Sequence, residues 1–326
     1  MKTPNKIKLA NTPTPIFEFN ISDDIKDNTA LYIKRDDYTG VELSGNKVRK
    51  LEFSIAEGLE SEADVFITCG GIQSNHCRAT ASAAASLGKA SHLLLRGDSV
   101  CDQGDGNLFL DKLFGAQISY ITAEEYKNDR ANIMKEIKAE YEKNGLKAYI
   151  IPEGASNGIG SFGYFDAYKE ILEQESVLGI EFNMICVTEG SGGTYAGLYM
   201  ANEVLQGNKK IVGFNIYDGE ADVKSGIIEI INEACEIADY KEPINFDSIN
   251  IINDYAGEGY GISGPEVFEY IKYLAKRTGI VFDPVYTGKM LFGLNKEIKN
   301  NDYFKGNILF IHTGGIFGVF PQKEMF

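Results

Sequence analysis

The stretch Ser44-Gly45-Asn46-Lys47-Val48-Arg49-Lys50 decides how the chain is read. It follows an apolar and charged strand-like run at residues 31–37 and precedes a helical pattern at 51–56. A cap-type residue, Ser44, and a glycine stand where a strand would turn into a helix. Lys47, Arg49 and Lys50 then fall in the first helical turn, although the N-terminal pole of a helix is positive and favours Asp or Glu. Crowding of Lys47 by Arg49, Lys50 and the helix pole is expected to lower its pKa and make its amine available. The plain alternative is a basic surface patch at a helix start, and Arg49 keeps that reading, since three residues on one turn cannot all face one site.

Outward from this stretch, strand and helix patterns alternate. Strand-like runs stand at 65–69, 91–95, 117–121, 148–151, 184–187, 211–216, near 249–254 and near 307–312. Helical patterns stand at 74–87, 107–114, 124–143, 165–174, 194–205, around 220–239, and at 265–277 and 288–299. This alternation predicts an α/β fold with largely parallel sheets covered by helices on both faces. Ligands in such folds sit at the C-terminal ends of strands, beside helix N-termini. Thr12-Pro13-Thr14-Pro15-Ile16 reads as extended chain. Residues 154–160, rich in Gly, Ser and Asn, read as a linker.

The 326 residues are enough for one or two domains with a large core. A formal net charge of -15 argues against nucleic acid or an anionic membrane as partner. It leaves room for an anionic ligand, because local loops can hold phosphate on backbone N–H groups. Residues 1–6 show no signal-peptide pattern, and no apolar run approaches membrane-spanning length. The five cysteines (Cys69, Cys77, Cys101, Cys186, Cys235) are scattered, without zinc-ligand spacing, and read as reduced thiols of a cytoplasmic protein.

Four turns carry candidate chemistry. Glu189-Gly190-Ser191-Gly192-Gly193-Thr194 joins a strand to a helix and points successive N–H groups at one spot, as a phosphate requires; the plain reading is a tight glycine turn. Gly70-Gly71-Ile72-Gln73-Ser74-Asn75-His76 opens an Ala-rich helix whose N-terminus suits a carboxylate, although Ser74 and Asn75 also serve as ordinary caps. Tyr260, and Tyr286 within Asp283-Pro284-Val285-Tyr286-Thr287-Gly288-Lys289, can be core aromatics or site residues. Ile311-His312-Thr313-Gly314-Gly315 ends the last apolar run in polar residues. Together they offer an amine nucleophile, an anion cradle and polar strand ends, a combination that suits a phosphorylated carbonyl cofactor held on lysine.

These blocks, with Lys34-Arg35-Asp36-Asp37 and residues 151–157, make the chain resemble the pyridoxal-phosphate enzymes of the tryptophan synthase β-like fold, fold type II. Within them it is similar to the branch of D-cysteine desulfhydrases and aminocyclopropane-carboxylate deaminases. The resemblance runs over nearly the whole chain, with the blocks in the family's order. It implies two three-layer αβα domains. A larger cofactor domain would comprise residues 1–49 and 158–326, and a smaller inserted domain residues 50–157, in a homodimer. It implies Lys47 as the Schiff-base lysine and general base. Gly190, Ser191, Gly192, Gly193 and Thr194 would form the phosphate loop. Asn75 would lie beside the cofactor's phenolic oxygen, Ser74 near the substrate carboxylate with His76 following, and Thr313 beside the pyridine nitrogen. Tyr260 and Tyr286 would be active-site tyrosines.

Within the branch, Thr287, Thr313 and His76 follow the desulfhydrases; the deaminases carry Glu, Leu and Gln there. The expected reaction is α,β-elimination on a small amino acid, D-cysteine giving pyruvate, hydrogen sulfide and ammonia. L-cysteine, β-chloroalanine or cysteate are alternative substrates, and aminocyclopropane-carboxylate deamination is a rival. A non-catalytic binding module and a scaffold protein are the other classes in play. Two features depart from the branch: Ile316-Phe317-Gly318-Val319-Phe320 after the last glycine pair, and the acidic residues Glu153 and Glu189 close to the expected phosphate and carboxylate sites.

Overall fold

The alternating periods resolve into two separate sheets in the computed structural model, which describes residues 1–326 except 23–24, 26–27, 98–103 and 218–222. The first half of the chain runs β1 (Ile16–Glu18), β2 (Thr29–Lys34), α1 (Asn46–Glu60), β3 (Val65–Gly71), α2 (Asn75–Ser86), β4 (Ala90–Arg96), α3 (Gly106–Leu113), β5 (Gln117–Ile121), α4 (Ala123–Asn128), α5 (Arg130–Lys143) and β6 (Ala148–Ile150). The second half runs α6 (Gly158–Leu178), β7 (Met184–Glu189), α7 (Gly193–Val204), β8 (Lys210–Asn215), α8 (Val223–Ile237), β9 (Asn250–Ile252), α9 (Pro265–Thr278), α10 (Thr287–Asn300) and β10 (Gly306–Ile311).

The six-stranded sheet has the order β1-β2-β10-β7-β8-β9, and the four-stranded sheet β5-β4-β3-β6. Among the described residues only β1 runs antiparallel, against β2. In the larger sheet a period of two divides the central strands between two cores. Ile185 and Val187 of β7, with Leu309 and Ile311 of β10, pack against α6, α7 and α8. Met184, Cys186, Ile308 and Phe310 pack on the opposite face against α9 and α10. Burial on both faces is why these strands read as unbroken apolar runs. Helix α1 lies between the sheets: its Phe53 joins the core of the larger one, while Leu51 and Ile55 join that of the smaller one.

Several expectations are corrected. The pattern at 124–143 is two helices, because Asp129 (φ -136°, ψ 0°) interrupts it and Thr122 with Glu125 forms a capping box for the first. Residues 154–160 are not a linker. A 3₁₀ turn at Glu153–Ala155 leads into α6, whose N-cap Asn157 accepts from Gly160 N–H at 3.1 Å. The glycine-rich start of α6 is dictated by packing rather than flexibility: a Cβ on Gly163 would stand 2.4 Å from the Arg49 carbonyl oxygen, so α6 lies directly on the backbone of α1. The helix expected near 220–239 begins at Val223, and residues 220–222 lie outside the described residues, as does Cys101. The other four cysteines are free. Among the described residues no helix is long and apolar enough to cross a membrane.

Candidate active site

Strand ends from both sheets meet over one cavity. β3 leads to Gly71, Ser74, Asn75 and His76; β7 to Glu189, Gly190, Ser191, Gly192 and Thr194; β8 to Tyr217; β10 to Thr313 and Gly314; and α1 contributes Asn46 and Lys47. Tyr260 and Tyr286 close the same cavity. Of the expected site residues only Gly193 is not in its wall. Its N–H is turned to Ser156 Oγ at 3.2 Å.

The position of Lys47 follows from the residue before its helix. The N-cap is Gly45, not Ser44. Gly45 sits at φ +92°, and a Cβ there would come within 2.8 Å of the Thr313 carbonyl oxygen. Gly45 N–H donates to Thr39 Oγ1 at 2.8 Å, and Asn46 N–H to the Thr313 carbonyl at 3.1 Å. The Asn46 amide donates to Thr194 Oγ1 at 3.0 Å. The first turn of α1 is thereby tied both to the end of β10 and to the start of α7.

No basic surface patch exists here. Arg49 is buried: its Nε and Nη2 donate to Asp36 at 2.9 and 2.8 Å, and its Nη1 to Glu170 at 2.9 Å. Lys34 joins Glu170 at 2.6 Å, and Tyr164 donates to Asp36 at 2.6 Å. Lys50 is also fully buried, and its Nζ donates to Ser156 Oγ at 2.9 Å. The Lys47 amine is held below its ordinary pKa, as expected, but the leading cause is burial, opposed by Glu189 and Glu153. Crowding by Arg49 is not the cause, because Arg49 is spent on its own carboxylates. Burial and the neighbouring Lys47 depress Lys50 further.

The glycine turn opens α7. The Ser191 and Ser156 hydroxyls are hydrogen-bonded at 2.7 Å, so Ser156 gathers Ser191, Gly193 N–H and Lys50 at one point. Beside them Glu189 is 1% exposed, and its Oε1 has no partner among the described residues. Burial pushes its carboxyl up to about 7, against the pull of Lys50, the Gly192 N–H and Lys47.

At the start of α2, Ser74 Oγ accepts from Cys77 N–H at 3.2 Å as an N-cap. Asn75 Oδ1 accepts from Asn107 Nδ2 at 3.1 Å. Thr68 Oγ1 donates to the Ile151 carbonyl and lies 2.7 Å from His76 Nε2. His76 Nδ1 is buried and has no partner among the described residues. Burial, with Lys47 and Lys50 adding to it, keeps this imidazole neutral.

The Tyr260 and Tyr286 hydroxyls share a short hydrogen bond. Tyr217 stacks on Tyr260 at 5.1 Å and 13°, and the Arg96 guanidinium lies 5.3 Å from the centre of the Tyr260 ring. Burial raises both site phenols above their ordinary pKa. Thr313 faces the cavity. Thr287 does not: it is fully buried and donates to Asp283 Oδ1 at 2.6 Å.

Sequence reasoning missed Asn46, Ser156 and Tyr217. Ser156 stands inside a block carrying the family resemblance, and Tyr217 follows an apolar run, so each had a positional signal without a chemical one. The cavity fits pyridoxal phosphate: it offers a lysine amine, a helix N-terminus with a glycine turn, and phenols in its wall. One partner is discordant, the carboxyl of Glu189.

Comparison with known proteins agrees with this geometry. The family described as "Pyridoxal-phosphate dependent enzyme" matches residues 7–314. The chain is 40% identical over 328 residues to the bifunctional D-cysteine desulfhydrase/1-aminocyclopropane-1-carboxylate deaminase, mitochondrial, of Arabidopsis thaliana, covering 97% of this chain and 79% of that one. A crystal structure of an ACC deaminase homologue superposes with a TM-score of 0.88 at 36% identity, covering 99% of this chain and 95% of that one. An O-ureido-L-serine synthase shares the fold at a TM-score of 0.66 and 14% identity, covering 95% of this chain and 91% of that one. The chain therefore belongs to the pyridoxal-phosphate-dependent enzymes, in the family of the aminocyclopropane-carboxylate deaminases and D-cysteine desulfhydrases.

Proposed function

We propose that the protein is a carbon–sulfur lyase that carries out α,β-elimination on D-cysteine, releasing pyruvate, hydrogen sulfide and ammonia. The observation that carries this reading is the placement of a half-buried lysine of lowered pKa, Lys47, in the same cavity as a hydrogen-bonded tyrosine pair.

Bound pyridoxal phosphate supplies an electron-withdrawing ring that makes the α-proton of an attached amino acid acidic. Lys47 holds the cofactor and then removes that proton as general base, which burial favours by drawing the amine toward its neutral form. The turn at Gly190, Ser191, Gly192, Gly193 and Thr194 holds the phosphate at the N-terminus of α7. Ser74 and Asn75, at the N-terminus of α2, take the substrate carboxylate, with neutral His76 behind them. Asn75, steadied by Asn107, would lie beside the cofactor's phenolic oxygen. Tyr260 and Tyr286 stay protonated through burial and can deliver a proton to the departing sulfur. Thr313 presents a neutral hydroxyl where a carboxylate would hold the pyridine nitrogen charged, which suits elimination with a weak electron sink.

Replacing Lys47 with Ala should abolish both the protein-bound cofactor absorbance and pyruvate release; a variant retaining either at the wild-type level rules the reading out. A panel of D-cysteine, L-cysteine, β-chloroalanine and cysteate then ranks substrates by pyruvate formed. The second reading is aminocyclopropane-carboxylate deamination, in keeping with the double name of the Arabidopsis relative. Because Thr287 points away from the cavity, the choice between the two rests on Thr313 and His76. Formation of 2-oxobutyrate from that substrate would favour the deaminase. We place the enzyme in the cytoplasm as a homodimer; the four free cysteines suit a reducing compartment, and sedimentation tests the dimer.

A further inference from the structure

Glu189 is the last residue of β7 and immediately precedes the glycine turn. It lines the cavity, is 1% exposed, and leaves Oε1 without a hydrogen-bond partner among the described residues. A buried carboxyl with an idle oxygen is costly unless something arrives to use it. The groups facing it are Lys47 and Lys50 from α1 and the N–H of Gly192 in the turn itself. Tyr195 from α7 also faces it, but that hydroxyl is spent on the Ile211 carbonyl at 3.0 Å. Tyr217 faces it from beyond β8, and Glu153 adds a second negative charge opposite Lys47.

The same cations and N–H groups are the ones a phosphoester needs. A carboxylate and a phosphate dianion cannot share them without strong repulsion in a buried site. We propose that Glu189 is a built-in counter-anion of the turn, balancing Lys47 and Lys50 while no phosphate is present and taking up one proton from solvent as a phosphoester enters. In the bound state the carboxylic acid becomes an O–H donor toward the phosphate, which gives the idle oxygen its partner. Cofactor loading is then linked to proton uptake at one named residue.

The inference rests on the reading of the turn as a phosphate cradle. Its test uses the full chain stripped of cofactor and titrated with pyridoxamine phosphate, which lacks the aldehyde that would react with Lys47. Calorimetry in two buffers of different ionisation enthalpy, at about pH 8, counts the protons taken up. The wild type should take up close to one proton more than Glu189→Gln. Its affinity should also fall about tenfold more than the variant's from about pH 8 to about pH 9, the signature of one linked proton. Glu189→Asp should restore the linkage, and pyridoxamine without phosphate should show none. Equal proton counts in wild type and Glu189→Gln overturn the inference while leaving the cradle intact. Failure of both proteins to bind pyridoxamine phosphate overturns the cradle and the inference with it. Should the variant not fold, an infrared difference spectrum of the wild type decides: a carboxylic-acid carbonyl band appearing with pyridoxamine phosphate supports the proposal, and its absence overturns it.

Discussion

Arg49 shows how much one side chain can carry away from the chemistry. Burial alone would raise the carboxyl of Asp36, yet Arg49 and Lys34 overcome it and hold that carboxyl at about 2. Replacing Arg49 with Met would leave Asp36 and Glu170 buried without their main cation. The expected cost is about 3–5 kcal/mol, read from urea unfolding at neutral pH; a loss under about 1 kcal/mol would show that the network is worth no more than a surface pair. The motif Gly45-Asn46-Lys47-Val48-Arg49-Lys50 was legible as a reactive site because its cations violate the dipole preference of a helix start. Which cation did what was not legible. The partners of Arg49 lie at residues 36 and 170, and only the tertiary fold brings them to it.

Among the elements, α6 is the one whose sequence misleads most. Its glycine-rich start reads as a linker because helix propensity is low there, and close packing on α1 overrides that preference. Gly163→Ala would drive a methyl group into the backbone of Arg49 and Lys50. We expect a loss of about 1–3 kcal/mol in stability, together with faster cofactor loss on dialysis, because the displaced backbone carries Lys47. A variant as stable as the wild type would mean that α6 can shift freely. The strands other than β1 and most of the other helices were readable from period and turn residues, since propensity and packing agree in them. The split at Asp129 was not, because a charged amphipathic pattern runs through it without a break in period.

For the molecule as a whole, acid sensitivity follows from its buried titratable groups. His312 is 2% exposed, with Nδ1 accepting from Gly314 N–H at 3.3 Å, and burial lowers it to about 4. The unfolded chain, where histidine titrates near about 6.5, binds more protons between these values. The contribution of His312 is therefore complete above the unfolded value and lost as pH falls through the folded one. Two carboxyls run the other way: burial raises Asp111 to about 8 and Glu189 to about 7, so the folded state holds their protons and their contribution falls as pH rises. Comparison of variants separates the terms. Between about pH 7 and pH 5 the wild type should lose about 2 kcal/mol more than His312→Gln in urea unfolding; parallel losses would remove His312 from the balance.

The place of β10 carries one more consequence. The last strand of the chain inserts between β2 and β7, pairing with both in parallel. Until residues 306–311 leave the ribosome, those two strands have open edges where a neighbour belongs, and Asn46 has no Thr313 carbonyl to bind. Between the synthesis of β7 and that of β10 the nascent enzyme is thus open to mispairing at these edges. Cofactor capture has to wait for β10 to take its place between β2 and β7.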